Sequence, residues 1–212
     1  MHEVALFSQV AQARHDRLLQ TLSGVVGAQP TAYTHQHVLV NKDKLVHDLH
    51  RAVSLQQDAS TATGPWQARI ASLPEPGSSE AIFSQVNELS SINNGDYEND
   101  KVVGHHYTDG HRFVNGNVII TIYRIFATNT LLPSTSEILL LSPPCNASQL
   151  GHLDPSGAYV IEAIVRIENG TDLKFADLAR KELFAFCRDY LQGLITFQVP
   201  DRFAMDTRVK GA

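Results

Sequence analysis

Cysteine is scarce in this chain, with only two among its 212 residues. Cys145 and Cys187 lie far apart and form no C-x-x-C pair, so the sequence predicts two free thiols in a reducing compartment. The chain also lacks a run of about eighteen apolar residues, and no basic start precedes a long apolar stretch. We therefore expect an intracellular protein with neither a membrane span nor a signal peptide.

Clusters of lysine and arginine are missing as well. The 17 Lys and Arg residues are outnumbered by 22 Asp and Glu residues, which gives a formal net charge of −5 and a sequence pI near 6.0. Surfaces that bind nucleic acid need concentrated basic side chains. The composition therefore argues against direct binding to nucleic acid.

Several common catalytic motifs are also absent. The sequence contains no G-x-S-x-G nucleophile elbow, no Walker loop and no G-x-G-x-x-G fingerprint. It contains no Glu-x-Glu pair, the arrangement with which tunnel-shaped triphosphatases hold a divalent metal. These absences favour a binding protein, and we predict no catalytic residues, no metal and no cofactor.

The stretch His111–Phe126 organises the rest of the chain. Within it, Val118–Phe126 alternates between two faces that are both largely apolar. This pattern predicts a central strand covered on both sides, as in a sandwich, a closed barrel or a sheet that carries helices. Gly110 and Gly116 predict a tight hairpin ahead of that strand, and Arg124 is expected to extend its head group to water.

Further strands are predicted from short apolar or alternating segments. These are His2–Val10, Tyr33–Val40, Trp66–Ile70, Glu137–Leu141, Tyr159–Glu168 and Leu194–Val199. The segment Ser79–Leu89 fits either a strand or a helix. The sequence thus predicts a mostly β protein of the α+β class, and its length suits one domain over residues 1–212.

Two helices and three loops complete the prediction. The helices cover Ala13–Ser23, which Gly24 should cap, and Asp172–Leu191. Polar or Pro- and Gly-rich composition predicts flexible loops at about residues 41–64, 93–104 and 142–157, the first with a short helical piece near Leu45–Leu55.

The helix predicted over Asp172–Leu191 carries two apolar stripes. The broader stripe is expected to face the core and comprises Phe175, Ala176, Ala179, Leu183, Phe186, Cys187 and Tyr190. Leu173, Phe184 and Leu191 form the second stripe. It either widens the contact with the core or binds a partner protein, and its three residues are our candidate partner-binding residues.

Histidines offer the first candidate site for chemistry. His35 and His37 point to one side of a predicted strand, as metal ligands do in cupin-like barrels, but two imidazoles complete no common metal site. The other group, His105, His106 and His111, lies in the predicted hairpin without an accompanying carboxylate–His helix motif. We expect these three to be exposed turn histidines.

Glu162, Arg166 and Glu168 share one face of a predicted strand. In a tunnel-shaped triphosphatase, inward carboxylates hold a metal and inward cations hold phosphates. Without a Glu-x-Glu pair, a solvated face of a half-exposed strand is the favoured interpretation.

A family resemblance rests on several segments taken together. They are Gly64-Pro65-Trp66-Gln67-Ala68-Arg69, Pro74-Glu75, Gly110-His111-Arg112-Phe113, Gly116 and Ile120-Thr121-Ile122-Tyr123-Arg124-Ile125-Phe126. In order and spacing they resemble the Mediator subunit 18 family, and the start Met1-His2-Glu3 is similar to its fungal members. The strand Tyr159–Ile167, the helix Leu173–Leu191 and the closing Asp201-Arg202-Phe203 fall where that family has a strand, a helix and a short tail.

This resemblance implies a non-catalytic scaffold subunit of the Mediator head module, a nuclear coactivator that links transcription regulators to RNA polymerase II. Such proteins pair with Mediator subunit 20, receive the C-terminal helix of Mediator subunit 8, and reach RNA polymerase II through the assembled complex. The implied fold is an antiparallel barrel with a few helices, similar in outline to tunnel triphosphatases but without their catalytic carboxylates. A metal-dependent, tunnel-type triphosphatase is the alternative.

Overall fold

The computed structural model describes residues 1–55, 60–76, 80–93, 95–128, 142–143, 150–168 and 173–208. The strands are β1 His2–Val10, β2 Thr31–Lys42, β3 Leu45–Ser54, β4 Thr61–Ala62, β5 Gln67–Ala71, β6 Ile82–Leu89, β7 Lys101–Asn115, β8 Val118–Thr128, β9 Leu150–His152 and β10 Tyr159–Ile167. The helices are α1 His15–Val26 and α2 Leu173–Leu191. Short 3-10 turns cover Gln12–Arg14 and Arg202–Met205.

The strands form a closed antiparallel barrel. Their order is β10-β1-β6-β5-β3-β2-β7-β8, and β8 pairs back to β10. The short strands β4 and β9 pair with β3 and β8, respectively. The predicted α+β class and barrel-like antiparallel sheet are confirmed, and among the alternatives left open for the central strand the closed barrel is the one adopted. Neither helix of the described chain is long and apolar enough to cross a membrane.

The main core lies outside the barrel wall, beneath the two helices. Alternate residues of β1, β8 and β10 point outward there and pack against α1 and α2. This core includes Val4, Leu6, Val118, Ile120, Ile122, Ile161 and Ala163 from the strands and Leu18, Leu22, Ala176 and Leu183 from the helices. Because β8 buries one face under the helices and turns the other into the barrel, both of its faces can be apolar.

Two smaller clusters cover the rest of the wall. On the outside, Trp66 and Tyr97 pack over Val38 and Leu49. Inside the barrel, Ala5, Ile82 and Ile164 meet Val199 and Met205 of the segment that follows α2. That segment pairs Phe7 with Gln198 and then bonds Thr207 to Val46 and Ala71. It therefore links β1 to β3 and β5 over an apolar part of the lumen, whereas the sequence predicted a full strand at Leu194–Val199.

The prediction of a loop at residues 41–64 with a helical piece near Leu45–Leu55 is wrong. Asn41 and Lys42 end β2, Asp43 and Lys44 form the turn with positive φ values of 50° and 64°, and β3 follows. Two successive residues with positive φ match the right-handed twist of a hairpin. Polar residues misled the prediction because the inner face of this strand carries polar side chains inside the barrel.

The hairpin predicted ahead of the central strand is present, but only one of its glycines forms the turn. Gly116 has a φ of +58° between β7 and β8. Gly110 lies inside β7, where a Cβ atom would be 2.1 Å from the carbonyl oxygen of Ile122. Close approach of the neighbouring strand, and not a turn, therefore requires this glycine. Since β7 begins at Lys101, the loop predicted at 93–104 is also shorter than expected.

Other boundaries differ by a few residues. The first helix runs to Val26 and contains Gly24, while Gly27 with φ of +71° caps it through a bond to the Ser23 carbonyl. Within the ambiguous segment Ser79–Leu89, residues Ile82–Leu89 form strand β6. Within the predicted loop 142–157, residues 150–152 form β9. The strand predicted at Glu137–Leu141 lies outside the described residues.

Candidate partner-binding surface and barrel lumen

The second helix buries a narrower stripe than its sequence predicted. Ala176, Ala179, Leu183 and Phe186 are buried against the barrel as expected. Phe175 and Tyr190, predicted to face the core, are instead 49% and 53% exposed, and Leu178 is 60% exposed. Phe175 lies at one margin of the predicted arc and Tyr190 lies in the last turn of α2, and neither side chain belongs to the core that α2 forms with the barrel.

The structure separates the three candidate partner-binding residues. Leu191 is 0% exposed and belongs to the core. Phe184 is half-buried and packs along the edge of the same core. Leu173 begins α2, and its side chain lies outside the described part of the chain. Only Phe184 of the described pair therefore presents surface that a partner could contact directly.

A groove between α2 and the end of β10 lies beside the exposed apolar residues. It has a volume of about 700 Å³, and Phe175 and Leu178 line it with Val165, Ile167 and Ala179. At its polar rim, Asn117 Nδ2 donates to the Glu182 carboxylate at 3.1 Å and 3.2 Å. An apolar floor with a polar rim suits an amphipathic segment of a partner protein.

Charged residues inside the barrel are paired with one another. Arg166 Nε donates to Glu3 Oε1 at 3.0 Å, and Arg166 Nη2 donates to Glu88 Oε1 at 2.8 Å. Arg69 donates to the other oxygen of Glu3. The Glu3 side chain is only 3% exposed, so this network compensates a carboxylate that the wall almost fully encloses.

The three residues proposed for a triphosphatase do not converge. Glu162 faces the lumen and accepts a 3.3 Å bond from Thr121 Oγ1, and desolvation raises its pKa despite the nearby Arg69. Arg166 is held by Glu3 and Glu88. Glu168 follows β10 and is exposed. The favoured prediction of a solvated strand face is therefore wrong for Glu162, because this face lines the closed barrel.

Four histidines cluster in another part of the lumen. His37 Nδ1 and Asp48 Oδ1 are 2.9 Å apart, and His37 Nε2 lies 2.9 Å from Thr108 Oγ1. The His106 ring stacks on the His37 ring with centroids 4.7 Å apart. The rings of His35 and His50 each lie about 6 Å from the His37 ring. Burial lowers the pKa of His35 and of His106 to about 4.

These positions correct two expectations about histidine. His105 and His106 belong to β7 and are half-buried, so they are not exposed turn residues. His111 also lies in β7 and contacts the His15 ring. His35 and His37 do lie on one side of β2, but both nitrogens of His37 are occupied by Asp48 and Thr108.

Within the described residues, no group of three His, Cys, Asp or Glu side chains is arranged to hold a metal ion. The luminal residues Asp48 and His50 escaped the sequence predictions because β3 was taken for a loop, and His106 was assigned to a turn although it lies in β7. The alternation of Asp48, His50 and Ala52 with Leu49 and Arg51 was the signal that could have identified them.

The architecture defines the class of protein first: a closed antiparallel barrel with helices packed on its outside and ion pairs within its lumen. A family model described as Med18 protein matches residues 35–208. The chain belongs to the Med18 protein family.

Similar proteins occur among curated fungal sequences. Mediator of RNA polymerase II transcription subunit 18 from Aspergillus oryzae is 20% identical over 99% of this chain and 100% of its own length. The protein of the same name from Aspergillus fumigatus is 24% identical over 69% of this chain and 54% of its own length. The alignment thus spans about half of the second relative.

Solved structures are similar in fold at low sequence identity. A chain in the structure of the Schizosaccharomyces pombe Mediator head module has a TM-score of 0.72 and 12% identity, covering 94% of this chain and 99% of that one. The S. pombe Pct1 RNA triphosphatase has a TM-score of 0.45 and 10% identity, covering 99% of this chain and 85% of that one. The first comparison supports the fold, and the second is too distant to support a function.

Proposed function

We propose that this protein is a non-catalytic scaffold subunit of the Mediator head module in the nucleus. In this role it acts as a transcription coactivator that links regulators to RNA polymerase II. The observation that carries the proposal is the family match over residues 35–208, and the similarity of the barrel to a chain of the S. pombe head module supports it.

Its direct partners are Mediator subunit 20 and the C-terminal helix of Mediator subunit 8, and it reaches RNA polymerase II through the assembled complex. The groove beside α2 supports binding of a helix. Phe175 and Leu178 lie one turn apart and expose about half or more of their surface. A partner helix can bury anchors with the same spacing between them.

The three candidate residues of α2 take different parts in this proposal. Phe184 contacts the partner with its exposed portion. Leu191 supports that surface from the core, where it is 0% exposed. Leu173 is assigned to the contact by its place at the start of α2, on the stripe that the sequence defines.

The lumen supports a scaffold role over catalysis. Arg69 and Arg166, the cations that would have to grip a triphosphate, already bind Glu3, which is almost fully enclosed. A phosphate that drew both arginines away would leave that carboxylate unpaired in the lumen. The sequence also lacks the Glu-x-Glu pair that would hold a metal.

The proposal is tested by co-expression with Mediator subunits 8 and 20, followed by size-exclusion chromatography with mass determination. We expect a stable 1:1:1 complex that needs the C-terminal segment of subunit 8. Elution of this chain alone and well folded would contradict the scaffold role, and release of phosphate from a triphosphate in the presence of metal would favour the triphosphatase.

Two leucine variants test the groove itself. Leu178 and Leu153 are both 60% exposed, but only Leu178 lies in the groove. We expect Leu178→Asp to prevent assembly and Leu153→Asp to leave it unchanged, with similar thermal stability for both. Equal assembly of the two variants would place the partner elsewhere.

A further inference from the structure

A row of stacked planar side chains crosses the outer surface between the start of α1 and the end of β8. His15, the first residue of α1, stacks on Tyr159 with ring centroids 3.8 Å apart and lies 5.4 Å from the His111 ring. The Arg124 guanidinium lies 4.6 Å from the Tyr159 centroid and 5.5 Å from that of Phe126. We call these five residues the stacked row.

Three nitrogens of the stacked row are buried without a hydrogen-bond partner among the described residues. They are His15 Nε2, His111 Nδ1 and Arg124 Nε. His15 is only 7% exposed. Buried polar atoms of native proteins nearly always have a partner, so three such nitrogens in one row point to a ligand that carries hydrogen-bonding atoms.

Stacking also fixes the direction in which Arg124 can bind. A guanidinium held against aromatic rings keeps its N–H groups in one plane and presents them at its edge. No carboxylate of the described chain forms an ion pair with Arg124, whereas Arg69, Arg166 and Arg180 each have such a partner. Arg124 therefore combines an oriented donor edge with a charge that no carboxylate of the described chain binds directly.

Two acidic groups moderate the positive charge around the row. Asp109 lies opposite Arg124 in the β7–β8 pair, and its Oδ1 accepts a 2.8 Å bond from Thr34. Asp16 Oδ1 lies 2.9 Å from His15 Nδ1. Burial lowers the pKa of His111, with the nearby His15 adding to the effect, and burial raises the pKa of Tyr159, so neither ring carries a charge near neutral pH. With Asp109 and Asp16 close by, the row suits a singly charged group better than a doubly charged phosphate.

We propose that the stacked row binds a carboxylate on an acidic segment of a partner protein, with Arg124 as the main donor. The planar carboxylate matches the planar edge of the guanidinium. This site is separate from the groove beside α2 and does not depend on the proposed head-module role.

The Nε–Hε NMR resonance of Arg124 gives a direct test. We would titrate the full chain with a hexaglutamate peptide and, separately, with inorganic phosphate. We expect a saturable shift of the Arg124 resonance with hexaglutamate and weaker binding of phosphate. No shift, or tighter binding of phosphate than of hexaglutamate, would overturn the proposal.

Matched variants separate a built site from general charge attraction. Arg124→Gln should weaken hexaglutamate binding about tenfold or more, and Arg124→Lys nearly as much, since lysine lacks the planar fork. Arg17→Gln makes the same charge change at an exposed position of α1 and should leave binding unchanged. Equal loss in Arg17→Gln and Arg124→Gln would contradict the site.

Discussion

Arg166 Nε donates a 3.0 Å hydrogen bond to Glu3 Oε1, and the two residues lie opposite each other in the β1–β10 pair. Arg69 of β5 binds the same carboxylate, and Arg166 continues to Glu88 of β6. One network thus joins four strands of the barrel. An enclosed carboxylate without a partner would cost several kcal/mol, so the closed wall depends on these arginines.

The first prediction concerns this network. Replacing both arginines in Arg69→Met plus Arg166→Met leaves Glu3 enclosed and unpaired, and it should lower the free energy of unfolding by about 3–5 kcal/mol. Adding Glu3→Leu should restore most of the loss. Urea unfolding measures each step. Arg188→Met, which removes a surface pair with Asp189, is the control and should change stability by less than about 1 kcal/mol.

Gly110 should be intolerant of a side chain. A Cβ atom there would lie 2.1 Å from the Ile122 carbonyl oxygen and 2.7 Å from Tyr123 Cα, so Gly110→Ala should cost about 1–3 kcal/mol or more through overpacking. Gly24 is the matched position, since nothing lies within 4 Å of its Cβ site inside α1. Gly24→Ala should add about 0.5–1 kcal/mol. Thermal unfolding measures the stability of both variants. Equal changes in stability would contradict the packing described for Gly110.

Acid should destabilise the fold through the luminal histidines. Burial, assisted by the nearby His37, lowers the pKa of His35 and of His106 from 6.5 to about 4. The unfolded chain therefore binds more protons between these values, and the stability is fully present above about pH 6.5 and is lost as the pH falls toward 4. We expect a loss of about 1–2 kcal/mol for each imidazole.

Urea unfolding at pH 7.5, 6.0 and 5.0 measures this effect. His35→Asn with His106→Asn should reduce the pH dependence, because two of the histidines whose pKa is lowered are gone. His152→Asn, at an exposed position, should leave it unchanged. If the free energy of unfolding depends on pH to the same extent in the unmodified chain and in both variants, the acid sensitivity belongs to other groups.

Leu191 should behave as a core residue. Its side chain is 0% exposed, so Leu191→Ala should lower the free energy of unfolding by about 2–5 kcal/mol. Leu178→Ala on the same helix removes a 60% exposed side chain and should change stability by about 0.5 kcal/mol or less. A small effect of Leu191→Ala would show that the end of α2 does not contribute to the core.

Phe184 should contribute to assembly under the proposed scaffold role. We expect Phe184→Ala to weaken the complex with subunits 8 and 20 by about 1–3 kcal/mol, the usual scale for an aromatic anchor. Affinity is measured on variants whose folding has been checked by circular dichroism. Unchanged affinity in a folded variant would remove Phe184 from the contact and leave the groove at Phe175 and Leu178 as the surface to map.

The sequence was informative wherever an element buries one face against apolar neighbours. The alternation of Val118–Phe126 and of Tyr159–Ile167 identified β8 and β10 nearly to the residue. Prediction from the sequence pattern failed for β3 and the first part of β7, where polar side chains such as Asp48, His50 and His106 fill the inner face. A polar inner face removes the hydrophobic alternation on which such predictions depend.

The sequence by itself determined the class of fold, the main helix and the absence of a Glu-x-Glu pair, because periodicity and local motifs are properties of neighbouring residues. Only the tertiary structure decided that the sheet closes, that Glu3 meets Arg69 and Arg166, and that Leu191 is core while Leu178 is surface. These outcomes join residues that are distant along the chain. Their burial is set by the strand that arrives beside them, which no local pattern encodes.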